Sequence, residues 1–325
     1  MNRPFYHNPV LLSEVVSLFT QHLSGAGPFF LVDATVGGAG HAAALLRALP
    51  TLHLLGVDRD KSAVSASRIA LEGFGDRARI EEGTWIDIPR LIKKVNFPSR
   101  ISGVLVDCGV SSHQLDTPGR GFSFQRDGPL DMRMEGETSS CVSAGELVQK
   151  LPEAALERII SAFGEDPFAG IIARAIVARR DVPHSPPLNS TLELARVVSS
   201  AVGQIKGRNG GHRVSAAHPA TRTFQALRIA VNSELVQLDT LLNDICSRIL
   251  QPGGILGVIT FHSLEDRLVK KRFNKQDFAL AGGAICAGNK EIECNPRARS
   301  ARLRGGKYEA WQNRSKQPLI RDRGS

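Results

Sequence analysis

The chain has 325 residues, of which 42% are apolar, and its formal net charge is +9. The apolar content excludes a disordered chain, and the length predicts either two domains or one domain with a large insertion. No apolar run approaches the roughly 20 residues that a membrane span needs, and the N-terminus lacks the apolar core of a secretory signal. Five scattered cysteines without C-x-x-C spacing argue against a disulfide framework and a zinc site, and they indicate a reducing compartment.

The excess of positive charge is concentrated near the C-terminus. Residues 267–325 contain fifteen of the 41 Lys and Arg residues but only five of the 32 Asp and Glu residues, so the charges of the remaining chain nearly cancel. A basic segment on a neutral body predicts a polyanionic partner whose phosphates supply part of the affinity. The alternative is a solvated tail that only aids solubility.

The first third of the chain alternates apolar strands with helices. In chain order the pattern predicts a helix at 10–23, a strand at 29–32, a helix at 41–49, a strand at 52–60, a helix at 61–74, a short strand at 78–80 and a strand at 101–112. The segment at 29–32 has four apolar residues in a row, as expected for a strand covered on both faces of a parallel sheet. This order of elements predicts a doubly wound α/β sheet.

The alternation stops after residue 112. Residues 113–218 have almost no strand pattern; they contain helical patterns at 151–164, 168–180 and 189–205 and a glycine-rich basic loop at 206–213. A helical seam then runs from Pro219 towards Leu250, and ILGVITF at 255–261 predicts another apolar strand. We therefore expect a sheet domain split into 1–112 and 219–325 around an inserted, mostly helical domain at 113–218.

A glycine-rich turn follows the first strand. Asp33 ends the strand, and Gly37, Gly38 and Gly40 open the next helix, so that backbone N–H groups can approach a ligand closely. Asp58, at the end of the second strand, is placed to accept hydrogen bonds from ribose hydroxyls. Because the G-x-G-x-x-G fingerprint is absent, S-adenosylmethionine fits this turn better than a dinucleotide does. The alternative is a turn in which glycine serves only close packing.

Two further residues are predicted to lie at the mouth of the same crevice. Asp107 lies in the segment at 101–112 and His262 follows the strand at 255–261, so both mark carboxyl ends of strands, where such sheets bind ligands. Asp107 is a candidate catalytic residue, or else a carboxylate that only caps the following turn. His262 is a candidate contact to the substrate, or else a structural histidine. No cluster of His, Cys and Glu has the spacing of metal ligands.

Longer motifs connect these local features to one family. HNPVLLSEVV (7–16), DATVGGAGH (33–41), RGFSFQRDGPLDMRM (120–134), HPATRTFQALRIAVNSEL (218–235), PGGILGVITFHSLEDRLVKKRF (252–273) and NPRARSARLR (295–304) closely resemble motifs of the RsmH (formerly MraW) family. The resemblance runs, in order, from His7 to about Arg304. It implies a Rossmann-like class I methyltransferase fold that depends on S-adenosylmethionine and has an inserted helical domain.

The cofactor contacts of that family fall on identifiable positions of this chain. The resemblance implies cofactor-binding residues at Ala39, Gly40, His41, Asp58, Trp85, Asp107 and Gln114. Ala39 departs from a glycine of the family. Trp85 stands where many members have Phe, and an aromatic side chain at this place is expected to pack against the adenine ring.

The resemblance also implies a reaction and a partner. The reaction is methylation of N4 of a cytidine in the decoding centre of small-subunit (16S-type) ribosomal RNA, with Asp107 as the candidate acceptor for the N–H hydrogens of the exocyclic amine. The expected partner is the small ribosomal subunit or its RNA, without a membrane. The expected location is the bacterial cytoplasm, or a mitochondrion or plastid for an organellar relative. Monomer and homodimer are both open. The alternatives are a non-catalytic ribosome-assembly factor and a methyltransferase of another nucleic-acid base.

Overall fold

The computed structural model describes residues 9–136, 139–208, 218–275 and 277–309. These residues form two compact units. The sheet unit contains the described residues within 9–58, 64–109 and 238–309, and the helical unit contains those within 59–63 and 110–237. Three predicted features lie partly outside the described residues: the motif at 7–16, the loop at 206–213 and the basic segment, whose part beyond 309 is not described.

The sheet unit is built on β-strands that form one mixed sheet. The strands are β1 (Phe29–Asp33), β2 (Leu52–Asp58), β3 (Ala78–Glu82), β4 (Ile101–Asp107), β5 (Leu250–Thr260), β6 (Phe278–Leu280), β7 (Ile285–Cys286) and β8 (Arg302–Tyr308). Their order is β3-β2-β1-β4-β5-β8-β6, with β7 paired to β8. The first five strands in this order are parallel to one another, whereas β8 is antiparallel to β5. This topology confirms the predicted doubly wound α/β fold.

Helices precede, connect and follow these strands. They are α1 (Leu12–His22), α2 (Gly40–Ala48), α3 (Lys61–Leu71), α4 (Ile88–Lys94), α5 (Ser112–Asp116), α6 (Ala144–Lys150), α7 (Glu153–Gly164), α8 (Ala169–Arg180), α9 (Thr191–Arg208), α10 (Thr221–Asn232), α11 (Glu234–Thr240), a π-helical turn (Leu241–Ile245), α12 (Cys246–Ile249), α13 (Ser263–Phe273) and α14 (Asn289–Cys294). Within the described ranges, none of the helices has the length and apolarity needed to cross a membrane.

The sheet separates two apolar cores. Consecutive strand residues alternate between them, so that Leu31 belongs to one core and Val32 to the other. Both cores are buried, which explains the continuously apolar segment at 29–32. On one face, Phe19 of α1 packs directly on β4 and β5. A Cβ added to Gly103 of β4 or to Gly257 of β5 would lie only 3.0 Å from its ring.

The strands after residue 261 were not predicted from the sequence. β8 lies between β5 and β6 and contains two arginines and two glycines, so it lacks the apolar run that marks a buried strand. Its glycines allow close helix packing: a Cβ at Gly305 would lie 2.6 Å from the Leu18 side chain of α1, and one at Gly306 would lie 2.7 Å from the Phe273 ring of α13. Pairing and packing therefore define this strand, and hydropathy does not.

The single long helix predicted from Pro219 towards Leu250 is wrong. The helix is interrupted at Ser233, whose backbone is left-handed with φ 51°. The apolar seam continues across this break but serves two cores, since Phe224 and Leu227 pack in the helical unit while Leu242 packs in the sheet unit. A periodicity of three and four residues does not show that its members share one core.

The helical unit has its own apolar core, formed mainly by α6 to α10. α9 begins after a polar cap, in which the Ser190 hydroxyl accepts a hydrogen bond from the Glu193 N–H at 3.1 Å. α7 and α10 approach closely at Gly164, where a Cβ would lie 2.7 Å from the carbonyl oxygen of Arg222. Because α10 packs here, the unit extends to Gln237, beyond the predicted limit at 218.

Candidate active site

Three aspartates end neighbouring parallel strands of the sheet unit. Asp33, Asp58 and Asp107 are the last residues of β1, β2 and β4, and β1 lies between the other two strands. Burial raises the pKa of Asp33 to about 7; the Thr35 N–H opposes this shift, and the charges of Asp107 and Asp58 add to it. The carboxylates therefore form one electronegative cluster at the carboxyl edge of the sheet, where folds of this kind bind ligands.

Thr35 connects this cluster through two hydrogen bonds. Its backbone N–H donates to Asp33 Oδ1 at 3.2 Å, and its hydroxyl oxygen accepts the backbone N–H of Asp107 at 2.7 Å. Thr35 was not selected from the sequence. The available signal was a hydroxyl side chain two residues after an acid that ends a buried strand.

The glycine-rich turn is shaped by a hydrogen bond and two left-handed residues, and one of its glycines is required by close packing. The N–H of Gly37 donates to Asp58 Oδ2 at 2.9 Å, and both Gly37 and Ala39 have left-handed backbones, with φ 50° and 64°. At Ala39 this conformation costs roughly 1–2 kcal/mol relative to the ordinary helical one. Gly40 is required by packing, because a Cβ there would lie 2.8 Å from the Pro9 side chain. The packing alternative therefore accounts for Gly40 but not for the contact between Gly37 and Asp58.

His41 is buried at the start of α2, on the side of the turn that faces Asp107. Its Nε2 lies 2.9 Å from the carbonyl oxygen of Val10, which can only accept, so Nε2 carries the hydrogen. Its Nδ1 lies 3.8 Å from Asp107 Oδ2. The imidazole thus lies between the segment before α1 and the carboxylate at the end of β4.

Trp85 is held against the same turn. It begins a short 3₁₀ turn after β3, and its indole N–H donates to the carbonyl oxygen of Ala34 at 2.9 Å. The side chain is half-buried, so part of the ring remains accessible while its polar edge is bound. An aromatic surface with a fixed edge is suited to stacking against a planar ligand.

Gln114 lies in the helical unit, at the start of α5. Its Oε1 accepts the Ser111 N–H at 3.0 Å, which completes a capping box, and its Nε2 donates to Asp60 Oδ2 at 2.9 Å. Asp60 also accepts from Arg120 Nη1 at 2.7 Å. Sequence reasoning did not select Asp60 or Arg120, although Arg120 begins the motif at 120–134. A cofactor contact by Gln114 stays a prediction.

His262 caps the helix that follows β5. Its Nδ1 accepts the Glu265 N–H at 3.4 Å, its Nε2 lies 3.1 Å from Glu265 Oε1, and Glu265 in turn accepts the N–H of Phe261 at 2.8 Å. These contacts are those of a capping box at the start of α13. They favour the structural alternative, and a catalytic role for His262 stays a prediction.

The cofactor-binding positions predicted for the sheet unit are brought together. His41, Asp58, Trp85 and Asp107 make the contacts given above with the turn and the strand ends. Ala39 and Gly40 belong to the turn itself. No group of three or more His, Cys, Asp or Glu side chains suited to a metal ion is found in the part of the chain that the structure describes.

A doubly wound sheet with acids at the ends of β1, β2 and β4 and a glycine-rich turn after β1 has the arrangement with which α/β proteins of this class bind nucleosides. Comparison with known proteins makes this class specific. The model of the MraW methylase family matches residues 4–308, and the chain belongs to this family. The fold is accordingly that of a class I methyltransferase.

Relatives of the same family match almost the whole chain. Proteins named ribosomal RNA small subunit methyltransferase H from Methylobacterium sp. (strain 4-46) and Sorangium cellulosum (strain So ce56) are each 42% identical, cover 92% and 93% of this chain, and are themselves covered to 90%. The protein of that name from Geobacter sp. (strain M21) is also 42% identical, over 92% of this chain and 97% of its own.

Proposed function

We propose that this protein transfers a methyl group from S-adenosylmethionine to N4 of a cytidine in the decoding centre of small-subunit ribosomal RNA. The observation that carries the proposal is the cluster of Asp33, Asp58 and Asp107 beside the glycine-rich turn. Membership of the MraW methylase family and the names of the relatives support the choice of reaction and of RNA.

The residues at this edge fit the proposed cofactor. Asp33 is repelled by Asp107 and Asp58, and a cation at the cluster would relieve that repulsion. S-adenosylmethionine would supply a positively charged sulfur with a transferable methyl group. Asp58 would accept hydrogen bonds from the ribose and the accessible face of Trp85 would pack on the adenine, next to the backbone at the start of α2.

Asp107 is the proposed contact to the acceptor base. The exocyclic amine of cytosine is a weak nucleophile because its lone pair is delocalised into the ring, and a carboxylate that accepts its N–H hydrogens localises that pair. The amine must also lose a proton once the new N–C bond has formed, and Asp107 Oδ2 is a suitable acceptor. The Thr35 hydroxyl accepts the backbone N–H of Asp107 and fixes the chain there, which limits reorganisation during the reaction.

The helical unit is the proposed RNA-recognition part of the protein, together with the basic C-terminal segment. A single-stranded or strained RNA region can deliver an unstacked base at a cost of a few kcal/mol. Recognition of such regions rests on shape, stacking and phosphate contacts, which a separate folded unit can provide.

The test is the mapping of N4-methylcytidine in small-subunit rRNA by mass spectrometry, with and without the gene. We expect one decoding-centre cytidine to lose its N4-methyl group on deletion and to regain it when purified protein and S-adenosylmethionine are added to the deficient small subunits. Naked DNA and tRNA serve as acceptor controls. Unchanged methylation after deletion contradicts the proposal. Methyl transfer to tRNA or DNA alone would mean that the acceptor is a base of that nucleic acid and not of ribosomal RNA.

A further inference from the structure

The exposed side of α13 is cationic. The helix contains two acids, Glu265 and Asp266, and both are buried. Its exposed positions Lys270 and Lys271 lie three and four residues after the exposed Arg267, so all three share one side of the helix. The acids therefore lie inside the protein, and the cations lie at its surface.

Asp266 binds cations from two elements. Arg304 of β8 donates from Nε at 2.7 Å, Arg302 of β8 donates from Nη1 at 3.3 Å, and Lys270 Nζ lies 3.7 Å away. Burial opposes ionisation of Asp266, but the Arg304 hydrogen bond and the charges of Arg304, Lys270 and Arg302 keep its pKa below the ordinary value. We call these four residues the Asp266 cluster.

The Asp266 cluster has more positive charge than its single carboxylate can neutralise. Arg304 is largely buried, with 12% of its side chain exposed, whereas the side chains of Arg302 and Lys270 are 51% and 52% exposed. Arg304 thus serves mainly to fix Asp266, and Arg302 and Lys270 present oriented donors to solvent. A planar guanidinium beside an ammonium group is a combination suited to phosphate oxygens.

The strand register places the cluster near the proposed active site. Asp107 of β4 is paired with Ile259 of β5, and the next residue of β5, Thr260, is paired with Arg302 of β8. Arg302 is therefore two strand spacings from the level of Asp107, or roughly 10 Å. A phosphate bound there would belong to the same stretch of RNA as a base held at Asp107.

We propose that Lys270 and Arg302, oriented by Asp266 and Arg304, bind a backbone phosphate of the RNA strand that contains the target nucleotide. The proposal rests on the proposed function for the identity of the RNA. It assigns positioning of the substrate to the sheet unit itself, through a contact that is independent of base identity.

The experiment compares the double variant Lys270→Gln/Arg302→Gln with wild type. Binding of purified protein to small-subunit rRNA is measured by filter retention over roughly 50–200 mM salt. If both side chains bind phosphate, the slope of log K against log salt falls by about 0.7 per contact, or about 1.4 in total. The KM for RNA rises by the same factor as the Kd, while the Kd for S-adenosylmethionine stays that of wild type.

Lys93→Gln is the matched control, because Lys93 is an exposed cation of α4 outside the cluster. It should leave the slope unchanged, and thermal melts should show that all variants are folded. An unchanged slope and KM in the folded double variant overturn the proposal, as does a loss confined to binding of anionic phospholipid vesicles. The RNA-binding slope is measured without catalysis, so failure of the proposed methyl transfer would be recognised separately.

Discussion

Asp107 is the residue on which the proposed chemistry depends most directly. Asp107→Asn keeps the shape of the side chain but removes its charge, so we expect turnover to fall roughly 10²-fold. Single-turnover methyl transfer to small subunits measures this change, and calorimetry measures the Kd for S-adenosylmethionine. Asp76→Asn is the control, because Asp76 is almost fully exposed and pairs with the exposed Arg79. Full turnover with normal cofactor affinity would exclude the proposed role of Asp107.

Asp33 makes the stability of the protein dependent on pH. Its pKa is about 7 in the folded chain against 3.8 for an ordinary aspartate, so the folded state retains a proton that the unfolded state has released. The retained proton contributes to the free energy of unfolding. This contribution is complete below the pKa of the unfolded state and is lost as pH rises towards 7, with a slope of up to about 1.4 kcal/mol per pH unit.

Asp33→Asn should remove this dependence, because the amide does not titrate and its oxygen can still accept the Thr35 N–H. We expect the free energy of unfolding in urea to decline from pH 5 to pH 7 in the wild type and to change less in the variant. Parallel declines in the two proteins would mean that Asp33 is already ionised in the folded chain.

The close contact between α7 and α10 depends on the absence of a side chain at Gly164. Gly164→Ala would place a Cβ 2.7 Å from the Arg222 carbonyl oxygen, which belongs to the backbone of α10 and cannot turn away. We expect a loss of about 1–3 kcal/mol in the free energy of unfolding. Gly203→Ala in α9 is the matched control, since no atom lies within 4 Å of its added Cβ. It should stabilise the protein by up to about 1 kcal/mol. Equal effects in denaturant melts would contradict this account.

The elements that were predicted correctly are those with a strong local signal. The helices at 151–164 and 168–180 and the strands β1, β2 and β4 have periodic or largely apolar patterns, and the structure confirms them. β8 has no such pattern, because two of its positions are glycines against which Leu18 and Phe273 pack. The break at Ser233 was also missed, since a serine with positive φ leaves no mark on hydropathy.

At the scale of the whole molecule, the extent of the helical unit can be tested with fragments. A fragment of residues 110–237 contains α10, whose Phe224 and Leu227 complete the core, whereas a fragment of residues 113–218 lacks it. Both fragments lack Asp60, so they lose its contacts equally. We expect a cooperative thermal transition by circular dichroism only in the longer fragment. A cooperative transition in the shorter one would support the limit at 218.

The sequence by itself determined the doubly wound fold, the aspartates at the strand ends, the glycine-rich turn and the family. These features are local, because each can be recognised from a run of neighbouring residues. Asp33 and Asp107, for example, stand directly after apolar runs. Only the tertiary structure decided which groups meet. The bond between Thr35 and Asp107 joins residues 72 apart, and the Asp266 cluster joins residues up to 38 apart. Such contacts depend on strand order and register, which are set by packing across the whole sheet and leave no local pattern.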